Sequence, residues 1–321
     1  MASARPRTLW LFLILVLMGA GWGLTQPLAK IAVNAGHRHF GLIFWQMVLG
    51  AGFVALFRAF VPGNRGTRFP RLRLDPAALW IYLLIAMIGT LIPNTATYEA
   101  IRHLPSGLIS IFLSTVPMFA FPVALMLGNE RFEPVRFAGL LFGLVGVGLI
   151  VAPEASLPER AMVAFIPLAL IAPFFYGCEG NIVARWGTAG LSPVDVLYGA
   201  SIIGALIALP LAVLTGEFFW ISWPFSGVEI AIISGALIHI IVYSLYVWMV
   251  GVAGAIFAVQ VSYLVTSFGV VWAMLILGER FSIWIWGAMA LIFVGVFLVQ
   301  PRSREEAGMD PEAVSLEPES R

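Results

Sequence analysis

Ten apolar runs of about 20 residues divide the chain, at 9–33, 40–61, 77–98, 106–127, 134–152, 162–184, 192–215, 228–250, 254–277 and 283–300. A stretch of that length with few or no charges is long enough to cross the hydrocarbon core of a bilayer as a helix. Charged residues gather between the runs. The pattern therefore predicts an all-α integral membrane protein of ten transmembrane helices with short connections. After Pro301 it stops: "RSREEAGMDPEAVSLEPESR" is polar, acidic and poor in aromatics, and residues 301–321 read as a disordered cytoplasmic tail.

Composition sharpens this. The chain is 60% hydrophobic and 11% charged, whereas a soluble domain carries roughly 25% charged residues. A formal charge of +1, with no basic cluster interleaved with aromatics, argues against nucleic acid as a partner. The single cysteine, Cys178, leaves no internal disulfide and makes a cysteine-based metal site a poor expectation. No His-Glu-x-x-His helix is present, and "HRH" at 37–39 is expected in an outer loop with no acidic partner nearby, so neither an enzyme nor a metal or cofactor is expected.

At the N-terminus, Arg5 and Arg7 followed by "LWLFLILVLMGAG" also fit a cleavable signal peptide. The apolar pattern continues through Pro27 to Val33, however, which favours a retained first helix. With that helix starting inside, thirteen arginines fall on the inner side and four (Arg38, Arg102, Arg160 and Arg280) on the outer, so both termini are expected in the cytoplasm. Trp220, Trp223, Trp284 and Trp286 then belong to the outer aromatic belt, and Trp10, Trp80 and Trp186 to the inner one.

The chain also repeats itself. "LMLGNERFEPVRFAGLLFGLVGVGLIV" (125–151) and "LILGERFSIWIWGAMALIFVGVFLV" (275–299) share an apolar helix, a Gly-(Asn)-Glu-Arg-Phe turn and a glycine-bearing helix. Glu130 and Glu279 are 149 residues apart, as are Gly146 and Gly295, and Trp22-Gly23 matches Tyr176-Gly177 weakly. Five helices per unit is an odd number, so the second copy must cross in the opposite sense. The expected organisation is a first repeat over 1–153 and an inverted second repeat over 154–300. Inverted repeats are a signature of secondary transporters, with the substrate site near the midplane between the halves.

Ten helices as two five-helix units, "GWG" in helix 1 and "LGNERF/LGERF" between helices 4–5 and 9–10, resemble the EamA-type branch of the drug/metabolite transporter superfamily over about residues 9–300. The resemblance implies a bacterial inner-membrane carrier of small organic solutes, often one that exports amino acids or related metabolites. It also implies a cavity lined mainly by helices 1, 3, 4, 6, 8 and 9. Members often carry an arginine in helix 2 where "FWQMVLG" has Gln46.

Polar residues inside the runs are the candidate solute-binding set, because such groups usually face a cavity or one another. Trp22, Gln26 and Lys30 recur at i, i+4, i+8 on one face of helix 1, beside Pro27. Lys30 has two readings: an ammonium that snorkels to the outer headgroups, or an attractor for an anionic or zwitterionic solute. His239 lies deep in "GALIHIIVYSLYVW" with Tyr243 and Tyr246 following, as a solute or proton ligand or as an interhelical hydrogen-bonding group. In "FFYGCEGNIVARW", Tyr176, Glu179 and Asn181 are grouped. Glu179 is either a proton carrier or ligand of a cationic solute, or the partner of Arg185 at the interface. Asn94 and Tyr98 in helix 3, Ser110 and Ser114 in helix 4, and Gln260, Tyr263 and Ser267 in helix 9 complete the set. Glu130 and Glu279 are expected to be structural, beside the N-termini of helices 5 and 10 and neutralised by Arg131 and Arg280. Gly139, Gly143 and Gly146 form a small-residue face for packing within the chain or in a homodimer.

The expected function is secondary transport of small organic metabolites, the export of amino acids or related solutes by alternating access. The alternative is proton-coupled efflux of lipophilic cations or drugs, which calls for a deep carboxylate facing the cavity.

Overall fold

The computed structural model describes residues 4–60, 72–151, 157, 159–253 and 260–299. The expected tail at 301–321, the edges of several apolar runs and the first residues of the 254–277 run lie outside the described residues. Among the described residues all regular structure is helical. The helices are α1 (Ala4–Asn34), α2 (His39–Phe60), α3 (Pro76–His103), α4 (Ser106–Met126), α5 (Pro134–Val151), α6 (Arg160–Trp186), α7 (Pro193–Leu214), α8 (Gly227–Ala253), α9 (Val261–Leu277) and α10 (Ile283–Val299). Eight are long and apolar enough to cross a membrane. The other two, α9 and α10, have 17 residues each, at the short end of the spanning range.

Prolines set the irregularities. In α3, Pro93 has no N–H for the carbonyl of Gly89 four residues back, and its ring crowds that carbonyl. The helix relieves this by widening into a π turn over Met87–Leu91, in which the Ile92 amide reaches back to the Met87 carbonyl. In α4, Ser114 and Thr115 turn their hydroxyls onto the Ile111 and Phe112 carbonyls at 2.7 and 2.6 Å, just ahead of Pro117, and the helix breaks into Ser106–Leu113 and Val116–Met126. The sequence pattern predicted α3 and α4 as uninterrupted helices, because hydropathy does not register turn width. At the start of α3, Asp75 accepts from the Ala78 amide at 3.1 Å. That amide and the Arg73 guanidinium hold its carboxyl below the usual carboxylate range, so the cap stays charged until the pH falls through that lowered value.

The packing follows the repeat. α5 lies on α10 and α2 on α7, each helix against its own counterpart. α1 packs on α8 and α9, and its counterpart α6 packs on α3 and α4. The glycines explain how closely these pairs approach. A Cβ on Gly23 would sit 2.7 Å from the Gly269 amide nitrogen of α9, and one on Gly177 would sit 2.8 Å from the Ala120 nitrogen of α4. The two crossings are equivalent under the repeat, so the weak Trp22-Gly23/Tyr176-Gly177 match has a steric cause. On α5, a Cβ at Gly139 would meet the Gly295 carbonyl of α10 at 2.7 Å, and one at Gly146 would meet Ile292 at 2.7 Å. The small-residue face is thus used inside the chain.

Large apolar side chains point outward, as expected for a protein whose solvent is lipid: Leu9 is 71% exposed and Phe297 is 68% exposed. All seven belt tryptophans are also exposed. α1 is integrated into the bundle from the Leu15–Met18 region onward, packed with Val242, Met249 and Val261. It runs through Pro27 as one helix.

Candidate functional site

Three helices meet at a hydrogen-bonded amide cluster. Gln46 Oε1 of α2 accepts from Asn94 Nδ2 at 3.1 Å and from the Tyr98 hydroxyl at 3.0 Å, both from α3. The Tyr176 hydroxyl of α6 donates to Asn94 Oδ1 at 3.2 Å. Both lone pairs of the Gln46 oxygen are therefore used, which orients its amide NH2 away from the cluster. One turn beyond Tyr176, Glu179 lies against the π turn of α3: a Cβ on Gly89 would be 2.6 Å from its carboxylate. A side chain there would displace the carboxylate from this position.

Across from this cluster is an aromatic group on α1 and α8. The Trp22 ring lies 6.4 Å from His239 and 5.8 Å from Tyr246, and His239 stacks on Tyr243 at 6.3 Å. Gln26, one turn along α1, has a buried Oε1 with no hydrogen-bond partner among the described residues. Between α2, α3, α7 and α8 is a cavity of about 20 Å³, lined by Gln46, Thr90, Ser201 and His239 among apolar neighbours. It has room for one water-sized group.

Other candidates have different partners. Lys30 is engaged with the main chain of α3. Its ammonium donates to the Ile101 carbonyl and, at 3.1 Å, to the Leu104 carbonyl, at the C-terminal end of α3. Glu279 accepts from the Ser106 amide at 2.7 Å, the Ser106 hydroxyl at 2.9 Å and the Gly107 amide at 3.0 Å, so it caps α4 rather than α10. A cation at a helix C-terminus and a carboxylate at a helix N-terminus each complement the partial charge of the helix end they meet. Together they clamp the α3–α4 corner. Arg280 and Arg131 are exposed and form no ion pair among the described residues, and Glu130 pairs instead with the buried Arg136 at 2.9 Å.

The expected Glu179–Arg185 pair does not form. Six residues of helix place the two side chains well apart around the axis, and Arg185 is exposed. Asn181 is occupied with α4, donating to the Ala120 carbonyl at 2.9 Å. Ser110 and Ser114 are 0% and 3% exposed, with hydroxyls on carbonyls of their own helix, and they serve packing. In α9, Ser267 returns its hydroxyl to Tyr263, Tyr263 packs edge-on against Phe293 of α10, and Gln260 stands at the helix start.

Sequence reasoning missed Gly89, Thr90 and Ser201. Thr90 had a signal: it precedes His239 by 149 residues, the spacing of the repeat, and both line the cavity.

A polar centre enclosed by ten helices in two inverted halves defines a membrane protein of the secondary-transporter class. The family model described as "EamA-like transporter family" matches residues 8–152 and again 164–300, and the chain belongs to that family, whose members are transporters. A solved structure titled only "Crystal structure of protein" aligns over 89% of this chain and 96% of its own, with 19% identity and a TM-score of 0.58. It is similar in fold. No curated protein sequence matches the chain significantly.

Proposed function

We propose that the chain is a proton-coupled, alternating-access carrier that expels small organic cations with apolar or aromatic bodies. In this reading the halves 1–153 and 154–300 rock about the polar centre, and Glu179 is bound in turn by a proton and by the solute's cationic group. The observation that carries it is the environment of Glu179. It forms no ion pair among the described residues and sits against Gly89, with Tyr176 three residues back on the same helix. A charge at the bilayer centre costs about 2.5–3.5 kcal/mol on insertion scales. A proton or a bound cation removes that cost. Trp22, Tyr243 and Tyr246 supply faces for an aromatic body or an organic cation.

Amino-acid export, the other expectation, calls for a group that holds the solute's carboxylate, and the ammonium of Lys30, the cationic candidate, is engaged on α3. We also propose that the protein lies in a bacterial inner membrane with both termini in the cytoplasm, following the arginine distribution.

Counterflow in proteoliposomes tests the reading. A preloaded lipophilic cation such as tetraphenylphosphonium is expected to exchange saturably with external label, while labelled phenylalanine does not exchange. Phenylalanine exchange without cation exchange would reverse the assignment.

A further inference from the structure

Serine and threonine in membrane helices commonly satisfy their hydroxyls on the carbonyl one turn back. Ser234, Ser244 and Ser267 do so here, with Ser244 at 2.8 Å from Ile240 O and Ser267 at 2.8 Å from Tyr263 O. Ser201 does not. It is 1% exposed, it lines the cavity between α2, α3, α7 and α8, and its hydroxyl makes no hydrogen bond among the described residues. Thr90 and His239 line the same cavity and are likewise without a hydrogen bond. The Gln46 amide NH2 is also left over once its oxygen has accepted from Asn94 and Tyr98. Polar side chains that border one cavity and whose hydroxyl, imidazole and amide groups are not committed to partners in the protein describe a place for a ligand group.

The lining specifies that group. Two hydroxyls and an imidazole both donate and accept, and the amide donates. No charged side chain lines the cavity, so neither a carboxylate nor an ammonium is matched there. The volume, about 20 Å³, admits one water-sized group. A hydroxyl fits all of these constraints. The π turn of α3 ties the cavity to the carboxylate, because Gly89 abuts Glu179 and the next residue, Thr90, lines the cavity.

We propose that the carrier's solutes are amino alcohols, whose ammonium is held by Glu179 while the neighbouring hydroxyl enters the Thr90–Ser201–His239 cavity. This rests on the cation reading above and narrows its substrate class.

The test is uptake competition in proteoliposomes holding the full chain, with phenylalaninol compared against 1-phenyl-2-aminopropane, which has a methyl group in place of the hydroxymethyl. Wild-type protein is expected to prefer phenylalaninol about tenfold, since a site built to hydrogen-bond a hydroxyl discriminates against analogues that lack it. Thr90→Val with Ser201→Ala is expected to bring the ratio of the two close to one. A ratio is read within one preparation, so a lower yield of folded variant leaves it unaffected. Equal affinity of wild type for both amines, or a preference that survives the double substitution, overturns the inference while leaving cation transport standing. Competition by neither amine, with tetraphenylphosphonium also failing to exchange, overturns the carrier reading itself.

Discussion

Glu179→Gln is expected to abolish pH-gradient-driven extrusion of organic cations, with a loss of roughly 100-fold or more in rate at subsaturating solute. The magnitude follows from the cost of removing one partner of a desolvated charge pair, about 2–5 kcal/mol. Glutamine preserves the shape beside Gly89, so the substitution removes the charge and the titration but not the packing. Proteoliposomes loaded at low pH and diluted into high pH report the effect directly. Gly89→Ala is expected to act in the same direction from the opposite helix, because its Cβ would fall 2.6 Å from the carboxylate. If both variants transport like wild type, Glu179 is not the coupling site.

The second large effect is on stability. Glu279→Ala removes three hydrogen bonds from the start of α4, at 2.7, 2.9 and 3.0 Å. Hydrogen bonds to a charged group contribute about 1.5–3 kcal/mol each and are not additive, so a loss of about 2–4 kcal/mol is expected. Lys30→Met removes the opposite half of the clamp from the end of α3. Since both side chains hold the same corner, the double substitution is expected to cost less than the sum of the two. Thermal unfolding of the detergent-solubilised variants measures the cycle. Strict additivity would mean that Lys30 and Glu279 act independently.

Those two residues also show what the sequence conveyed and what it did not. Apolar run lengths and the 149-residue spacing made the ten helices and their inverted relation legible, because both are periodic properties of side chains. The partners of Lys30 were not legible. They are main-chain carbonyls of Ile101 and Leu104, and no residue type marks a carbonyl left open at a helix end. Glu279 was read beside the helix that follows it, whereas the fold presents it to a helix of the other half. Of the central cluster, Gln46, Asn94, Tyr98 and Tyr176 were all legible as polar residues in apolar runs, and the structure joins them by hydrogen bonds. Ser201 was hidden because one serine in a membrane helix is ordinarily a packing residue. Gly89 was hidden because its role depends on the wider turn that Pro93 imposes. Both become visible only when α3, α6, α7 and α8 are brought together.

The central claim is that proton and organic cation compete for Glu179. Proton release on binding tests it most directly. Purified protein in weakly buffered detergent solution is titrated with tetraphenylphosphonium while a pH dye is followed. The account predicts acidification that saturates with the cation and is absent in Glu179→Gln. Cation binding detected by calorimetry without proton release, or equal release from wild type and Glu179→Gln, would contradict it.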